Sequence, residues 1–277
     1  MALTGRGLAA VVILVAAGSG CRAPRQGDAI AELFSSRTSW IDLTYPFNDA
    51  TIYWPTAEPF RLEVVSAEVT PGGFYYAANN FCAAEHGGTH LDAPIHFAAG
   101  RRTAEQIPVD VLVGPAVVID VSAQAAGDAD YRVRVADLEA FEAAHGAIPD
   151  GALVLFRTGW GTRWPDAAAY LGTDRRGAEA VPLLHFPGID SSAARWLVAT
   201  RRVDAVGIDT PSIDYGQSST FDTHRVLFEA NVPAFENVAN LERLPPSGAY
   251  VIALPMMIEG GSGAPARIVA AVPSAAR

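Results

Sequence analysis

The chain has 277 residues, half of them hydrophobic, with 18% charged residues and a formal net charge of −10. That length gives one large domain or two small ones with ample core. The basic residues are all arginine, with no basic patch or tail, so nucleic acid is excluded as a natural partner and an acidic surface does not favour anionic lipid.

Met1–Arg6 carries one positive charge, and Leu8–Ala17 is an apolar stretch of signal-peptide length, too short to span a bilayer. Gly18-Ser19-Gly20-Cys21 puts small residues directly before a cysteine, as bacterial lipoprotein cleavage sites do, although Gly18 stands where such sites usually carry leucine. Residues 1–20 are therefore expected to be a signal peptide, 21–39 a tether, and 40–277 the folded domain. The chain is expected to be exported, to the periplasm or to a membrane through lipid on Cys21. A plain secretory signal with a coincidental cysteine is the simpler alternative.

Trp40–Tyr45 reads as a short strand, Asn48-Asp49 as a turn, and Arg61–Val69 as a strand of β-branched and polar residues. After the turn Pro71-Gly72-Gly73, a strand begins at Phe74-Tyr75-Tyr76 and is expected to run to the next segment. There, three of the six histidines fall in twelve residues, His86-Gly-Gly-Thr-His90-Leu-Asp92-Ala-Pro-Ile-His96-Phe97. Imidazole and carboxylate together form the donor set of a divalent first-row metal, zinc or manganese above all. Gly87, Gly88 and Pro94 argue against a helix, so an extended segment entered through a glycine turn is expected. Along it His90 and Asp92 share a face, and the glycines let His86 fold back to join them. Cys82 is expected to be a buried small hydrophobe leading into this segment rather than a soft ligand. With Cys21 removed or lipidated it has no disulfide partner, so the fold rests on its core and its metal.

Gly114-Pro115 is expected to break the chain before Ala116–Val121, a buried strand. Helical spacing of Leu138, Phe141 and Ala144 predicts a helix over 135–145 with Gly146 as C-cap. Residues 152–156 read as a strand, 191–202 as a helix capped by Asp190 or Ser191, and 203–208 as a strand. Residues 223–230 read as a helix capped by Asp222, and 250–254 and 267–272 as strands. Strands and helices alternate, yet several strands adjoin directly. The pattern predicts a layered α/β or α+β domain, not a strictly parallel barrel.

Two further residues are candidates for the site: His224, in Asp222-Thr-His224, and Glu236, amid apolar neighbours where a carboxylate is costly to bury without a cation. The residues alone leave a solvent-exposed helix start and a surface turn open as alternatives.

The run His86–Phe97 resembles the H-x-G-T-H-x-D-x-P-x-H-F signature of the cyclase family of metal-dependent hydrolases, which includes bacterial-type kynurenine formamidases and isatin hydrolases. Asp222-Thr-His224, Phe235–Leu241 and Gly207–Asp214 resemble its later segments, so that the likeness runs from Trp40 to the C-terminus. The resemblance implies a swivelling β/β/α layered domain of α/β class, assembled as homodimers or homotetramers. It implies one or two divalent metals, Zn or Mn, with His86, His90 and Asp92 holding the first and Asp92, His224 and Glu236 a second. It further implies His96 as general acid/base and Trp54 in the substrate pocket. The formamidases carry Pro-Gly-Asp after the pocket aromatic, where this chain reads Trp54-Pro55-Thr56. Some isatin-cleaving relatives have glutamine where Glu236 stands, so glutamate leans towards the formamidase pattern.

The expected chemistry is hydrolysis of the C–N bond of a small aryl amide, such as N-formylkynurenine or isatin. The metal lowers the pKa of a bound water towards about 7, and His96 moves the proton to the leaving nitrogen. No G-x-S-x-G elbow is present, and no serine nucleophile is needed. A lactone or other cyclic-ester hydrolase on the same site is an alternative. A surface-tethered metal-binding protein without turnover is another, which His96, superfluous to a metal cage, disfavours. His145 is expected to belong to a helix end, and His185 to a structural role.

Overall fold

The computed structural model describes residues 33–274. The expected signal peptide, Cys21 and most of the tether lie outside the described residues. The strands are β1 (Ser39–Asp42), β2 (Arg61–Val69), β3 (Tyr75–Cys82), β4 (His90–Asp92), β5 (Val113–Asp120), β6 (Arg132–Val133), β7 (Leu153–Arg157), β8 (Gly188–Ile189), β9 (Ala205–Ile208), β10 (Ala234–Glu236), β11 (Ala249–Pro255) and β12 (Gly263–Val272). No helix among the described residues is long and apolar enough to cross a membrane.

One eight-stranded sheet, in the order β1-β12-β11-β5-β7-β9-β10-β4, contains nearly all of the architecture, and a β12–β4 pairing closes seven of its strands into a barrel. The long β12 makes closure possible. Its first residues, Gly263–Pro265, pair with Asp92–His90 of β4. Its last, Val269–Val272, pair with β1, while β11 lines its other edge. Strands β5, β7, β9 and β10 run parallel to one another, and the remaining pairings in this sheet are antiparallel. The mixed barrel flanked by helices agrees with the α/β class expected from the sequence.

The continuous apolar run of β5 follows from burial on both faces. Ala116 and Val118 point into the barrel with Leu155, Phe235, Val251 and Ile268. Val117 and Ile119 point outward beneath the helices, with Leu138, Phe141, Leu197 and Phe228. Helices Val135–His145 and Ser191–Thr200 fall where their spacing places them, the second capped by Asp190 through Ser192 N at 2.9 Å.

Four expectations need correction. Gly114-Pro115 does not break the chain but lies within β5. The proline is tolerated because β7 pairs only from Ala116 on, leaving Pro115 a neighbour on the β11 side alone. The strand from Tyr75 stops at Cys82 instead of running to the histidines, and Cys82 is exposed rather than buried. Asp222 is the first residue of its helix, Asp222–Glu229, not its cap. Capping comes from Asp214, whose carboxylate accepts from Thr223 N at 3.2 Å and His224 N at 3.1 Å.

Strands β2 and β3 form a separate two-stranded arm. Cross-strand pairing puts Leu62, Val64, Ala67 and Val69 on one face with Phe81, Asn79, Ala77 and Tyr75, and puts Arg61, Glu63, Ser66 and Glu68 on the other with Cys82, Asn80, Ala78 and Tyr76. A bulge at Val65 switches the parity of β2, so the apolar face continues across it. That face is open to solvent: Val64, Val69 and Tyr75 are 63%, 67% and 65% exposed.

Because Leu155 is 1% exposed inside the barrel, Leu155→Ala is expected to cost about 2–5 kcal/mol of unfolding free energy. Chemical denaturation measures this, with the exposed Val198→Ala, expected within about 1 kcal/mol of the wild type, as comparison.

Candidate metal centre

The centre is built where β4 lies between β10 and β12. Antiparallel pairing sets Glu236 opposite His90, and alternation puts His90, Asp92 and Glu236 on the outer face of the barrel while Leu91 and Phe235 fill its interior. Helix Asp222–Glu229 packs over that face and brings in His224 from its first turn. His86 comes from the bend before β4, where Gly88 holds φ +56°, a conformation that favours glycine and lets the chain turn back.

These side chains converge on Asp92. His86 Nδ1 lies 2.6 Å from its Oδ1 and His90 Nε2 3.0 Å from the same oxygen. His224 Nε2 lies 3.2 Å from Oδ2 and 3.3 Å from Glu236 Oε1, and His90 Nε2 lies 3.5 Å from Glu236 Oε2. The donor atoms of His86, His90 and Asp92 all fall within 4.8 Å of one another, as do those of Asp92, His224 and Glu236.

The outer partners fix which nitrogens face inward. His90 Nδ1 bonds the Gly88 carbonyl at 2.9 Å, an oxygen that also accepts from Asn237 Nδ2 at 2.8 Å. His224 Nδ1 bonds Asp214 at 2.6 Å. With each Nδ1–H so used, each Nε2 is the nitrogen left to face the carboxylate oxygens. Buried His90 Nε2 accordingly has no hydrogen bond despite its close carboxylate neighbours. Two buried carboxylates this close require positive charge beside them, supplied by imidazole protons or by a cation that displaces them, and the carboxylate and carbonyl behind the imidazoles are the outer support typical of metal-ligating histidines. The residues present fit a divalent cation.

The electrostatics agree. Burial disfavours charge on His90, but Asp92 and Glu236 outweigh it and hold its pKa above the usual 6.5. The same balance, with Asp214 as the largest opposing partner, holds His224 well above that value. Burial, then the charge on Asp92, pushes Glu236 up. Asp92, despite its burial, is held well below the carboxylate range, with His86 the foremost of its histidine partners. His96 sits apart from the cage, its ring stacked on His86 at 3.9 Å. Burial lowers its pKa to about 4, so at neutral pH it is uncharged and keeps a lone pair.

A cavity of about 280 Å³ opens onto this cluster, walled by Ile52, Tyr53, Trp54, Phe97, Pro211 and Phe221. Phe97 and Phe221 lie 5.0 Å apart, and Phe221 adopts φ +49°, an uncommon conformation for a bulky side chain that aims the helix start at the cavity.

The structure thus gathers His86, His90, Asp92, His96, His224, Glu236 and Trp54 around one cavity. Cys82 is not among the clustered donors. His145 packs on Phe141 at its helix end, and His185 pairs with Asp130 on the surface. The sequence reading missed Asp214, Asn237 and Phe221. Asp214 sits in the quoted segment Gly207–Asp214, but no linear pattern shows that its carboxylate meets a histidine ten residues on.

Comparison with known proteins gives one consistent answer. The family model Cyclase ("Putative cyclase") matches residues 41–215. An isatin hydrolase of Roseibium aggregatum is 35% identical over 217 residues, covering 76% of this chain and 80% of that protein. A kynurenine formamidase of Bacillus cytotoxicus is 28% identical, covering 84% and 97%. The solved structure of isatin hydrolase A from Ralstonia solanacearum superposes with a TM-score of 0.79 at 36% identity, covering 92% of this chain and 100% of that one.

Two outcomes are expected. Asp214→Ala, which frees His224 Nδ1, lowers affinity for a divalent cation about 10- to 100-fold in titrations of metal-stripped protein. Because ligation needs neutral imidazoles and His90 and His224 hold their protons above the usual 6.5, affinity rises with pH through and beyond neutrality. An affinity that stayed flat with pH would contradict the assignment.

Proposed function

The chain belongs to the cyclase family and is a hydrolase, and from that premise we propose that it opens the amide C–N bond of a small cyclic aryl amide of the isatin type. The observation that carries this reading is the pairing of the buried His/Asp/Glu cluster with an aromatic cavity of about 280 Å³. That volume lies just below the usual range of small-molecule pockets, roughly 300–1,000 Å³, and so favours a small substrate. The similarity to isatin hydrolases, at 35–36% identity, supports this substrate class. An acyclic arylformamide is the second reading, favoured by Glu236 and by the likeness to kynurenine formamidases.

In this proposal His86, His90 and Asp92 hold one divalent cation, and Asp92, His224 and Glu236 hold a second where one is present. A cation bound there supplies Lewis acidity, polarising the scissile carbonyl and bringing the pKa of a water towards about 7. Trp54, Phe97 and Phe221 orient the aryl ring and exclude bulk water. A neutral His96 ring nitrogen accepts a proton from the attacking water and returns it to the leaving nitrogen, so that the C–N bond breaks to a carboxylate and an amine. Zinc and manganese both suit the mixed imidazole and carboxylate donor set.

We also propose export, by a signal peptide over residues 1–20 and with lipid on Cys21, from the leader-like composition of that segment. Assembly is proposed as a homodimer joined by the β2–β3 arm. The arm is about 30 Å long and 10 Å wide, so one apolar face offers roughly 300 Å². Two arms exchanged about a two-fold axis would bury roughly 1,200 Å² in all, enough for a stable interface, whereas a single arm on an unrelated partner would bury about half of that.

A hydrolysis screen of isatins, arylformamides and aryl lactones tests the reading. Isatin turnover lost to a chelator and restored by Mn²⁺ or Zn²⁺ is the expected result, whereas turnover indifferent to chelator, or confined to lactones, would overturn it. His96→Ala is expected to keep its metal while kcat falls about 10²- to 10⁴-fold. Val64→Asp is expected to convert the dimer to a monomer in light-scattering measurements. A monomeric wild type would remove the arm's assigned role.

A further inference from the structure

His90 and His224 have visible outer partners of the usual kind, a carbonyl and a carboxylate. His86, the most exposed of the three imidazoles, has a different one. Its Nε2 lies 2.9 Å from Oγ of Ser262, the residue just before β12, and that hydroxyl lies 2.6 Å from Glu85 Oε2. The same Glu85 oxygen also accepts from Ser262 N at 3.0 Å. Residues next to each other in sequence, Glu85 and His86, are thus joined through a serine 176 positions from the histidine.

A serine hydroxyl carries one proton. A carboxylate is a stronger acceptor than an imidazole nitrogen, and the shorter contact is to Glu85. The Ser262 proton therefore goes to Glu85, and Oγ can only accept from His86. His86 then donates from Nε2, which leaves Nδ1, 2.6 Å from Asp92 Oδ1, as the nitrogen that can ligate a cation. Close packing locks the ring in that pose. A Cβ at Gly263 would stand 2.5 Å from His86 Cε1 and 2.6 Å from the Leu91 carbonyl oxygen, so only glycine lets β12 start this close.

We propose that Glu85 and Ser262 are positioning residues: a carboxylate–hydroxyl relay that sets the tautomer of His86 and so presents Nδ1 to a divalent cation. This deepens the metal-centre reading and rests on it. Neither residue touches the cavity, so neither is catalytic. Because His96 stacks on His86, the relay also fixes the plate against which the acid/base ring lies.

The test uses metal-stripped full-length protein, calorimetric titration with Zn²⁺ or Mn²⁺, and ¹⁵N NMR of the histidine rings. Ser262→Ala is expected to weaken binding about 10-fold or more and to leave His86 in mixed tautomers above neutral pH. Ser262→Thr, which keeps the hydroxyl, should stay within about 3-fold of the wild type. Glu85→Ala should weaken binding as Ser262→Ala does although it removes no atom bonded to the imidazole, since the freed serine proton then competes at Nε2. Unchanged affinity in Ser262→Ala, or a wild-type His86 protonated on Nδ1, would overturn the relay. A wild type that bound neither cation would instead overturn the metal centre, and the NMR tautomer would still decide the relay by itself.

Discussion

The buried carboxylate of Asp92 is the point on which the site depends. Both of its oxygens face imidazole nitrogens whose opposite nitrogens are engaged elsewhere, by Gly88, Asp214 and Ser262. Without positive charge among them, such an arrangement sets lone pair against lone pair in a medium that does not screen repulsion. The fold holds it because each imidazole is braced from outside, so the cluster cannot relax by turning its rings.

Barrel closure supplies that bracing. Strand β4 is only three residues long, yet it is clamped on both edges, by Glu236's strand β10 and by the first three residues of β12. One pairing sets Glu236 against His90, and the other delivers Ser262 to His86. Alternation along β4 then sorts Leu91 into the core and His90 and Asp92 to the helix side. The packing of helix Asp222–Glu229 adds His224, and Asp214 does two jobs with one carboxylate, capping that helix and orienting its histidine. Apolar burial on both sides of the sheet thus holds a polar centre that could not assemble alone.

The cavity shows the same division between scaffold and chemistry. Its aromatic walls come from separate parts of the chain, Trp54 before the arm, Phe97 after the histidine run and Phe221 at a helix start. Water exclusion is what makes His96 uncharged at neutral pH, with its pKa lowered to about 4 by burial. The ring that would otherwise titrate near neutrality is kept in its proton-accepting form by the walls that hold an aryl group.

Much of this was legible in the residues themselves. The density of histidine between positions 86 and 96 marks a metal centre because that donor set has few other uses, the spacing of Leu138 and Phe141 with Gly146 behind them marks one helix, and the expected helix over 191–202 forms over Ser191–Thr200 because its apolar stripe must be buried. Resemblance to the cyclase family extended the reading to His224 and Glu236. Tertiary structure alone decided what linear distance conceals. It placed Asp214 behind His224, Ser262 behind His86 and Asn237 behind the Gly88 carbonyl, and it exposed Cys82 on an arm where a buried strand was expected. Donor types are a property of composition and follow from the chain. Tautomers, second partners and burial are properties of proximity, and proximity across a closed barrel exists only once β12 has met β4.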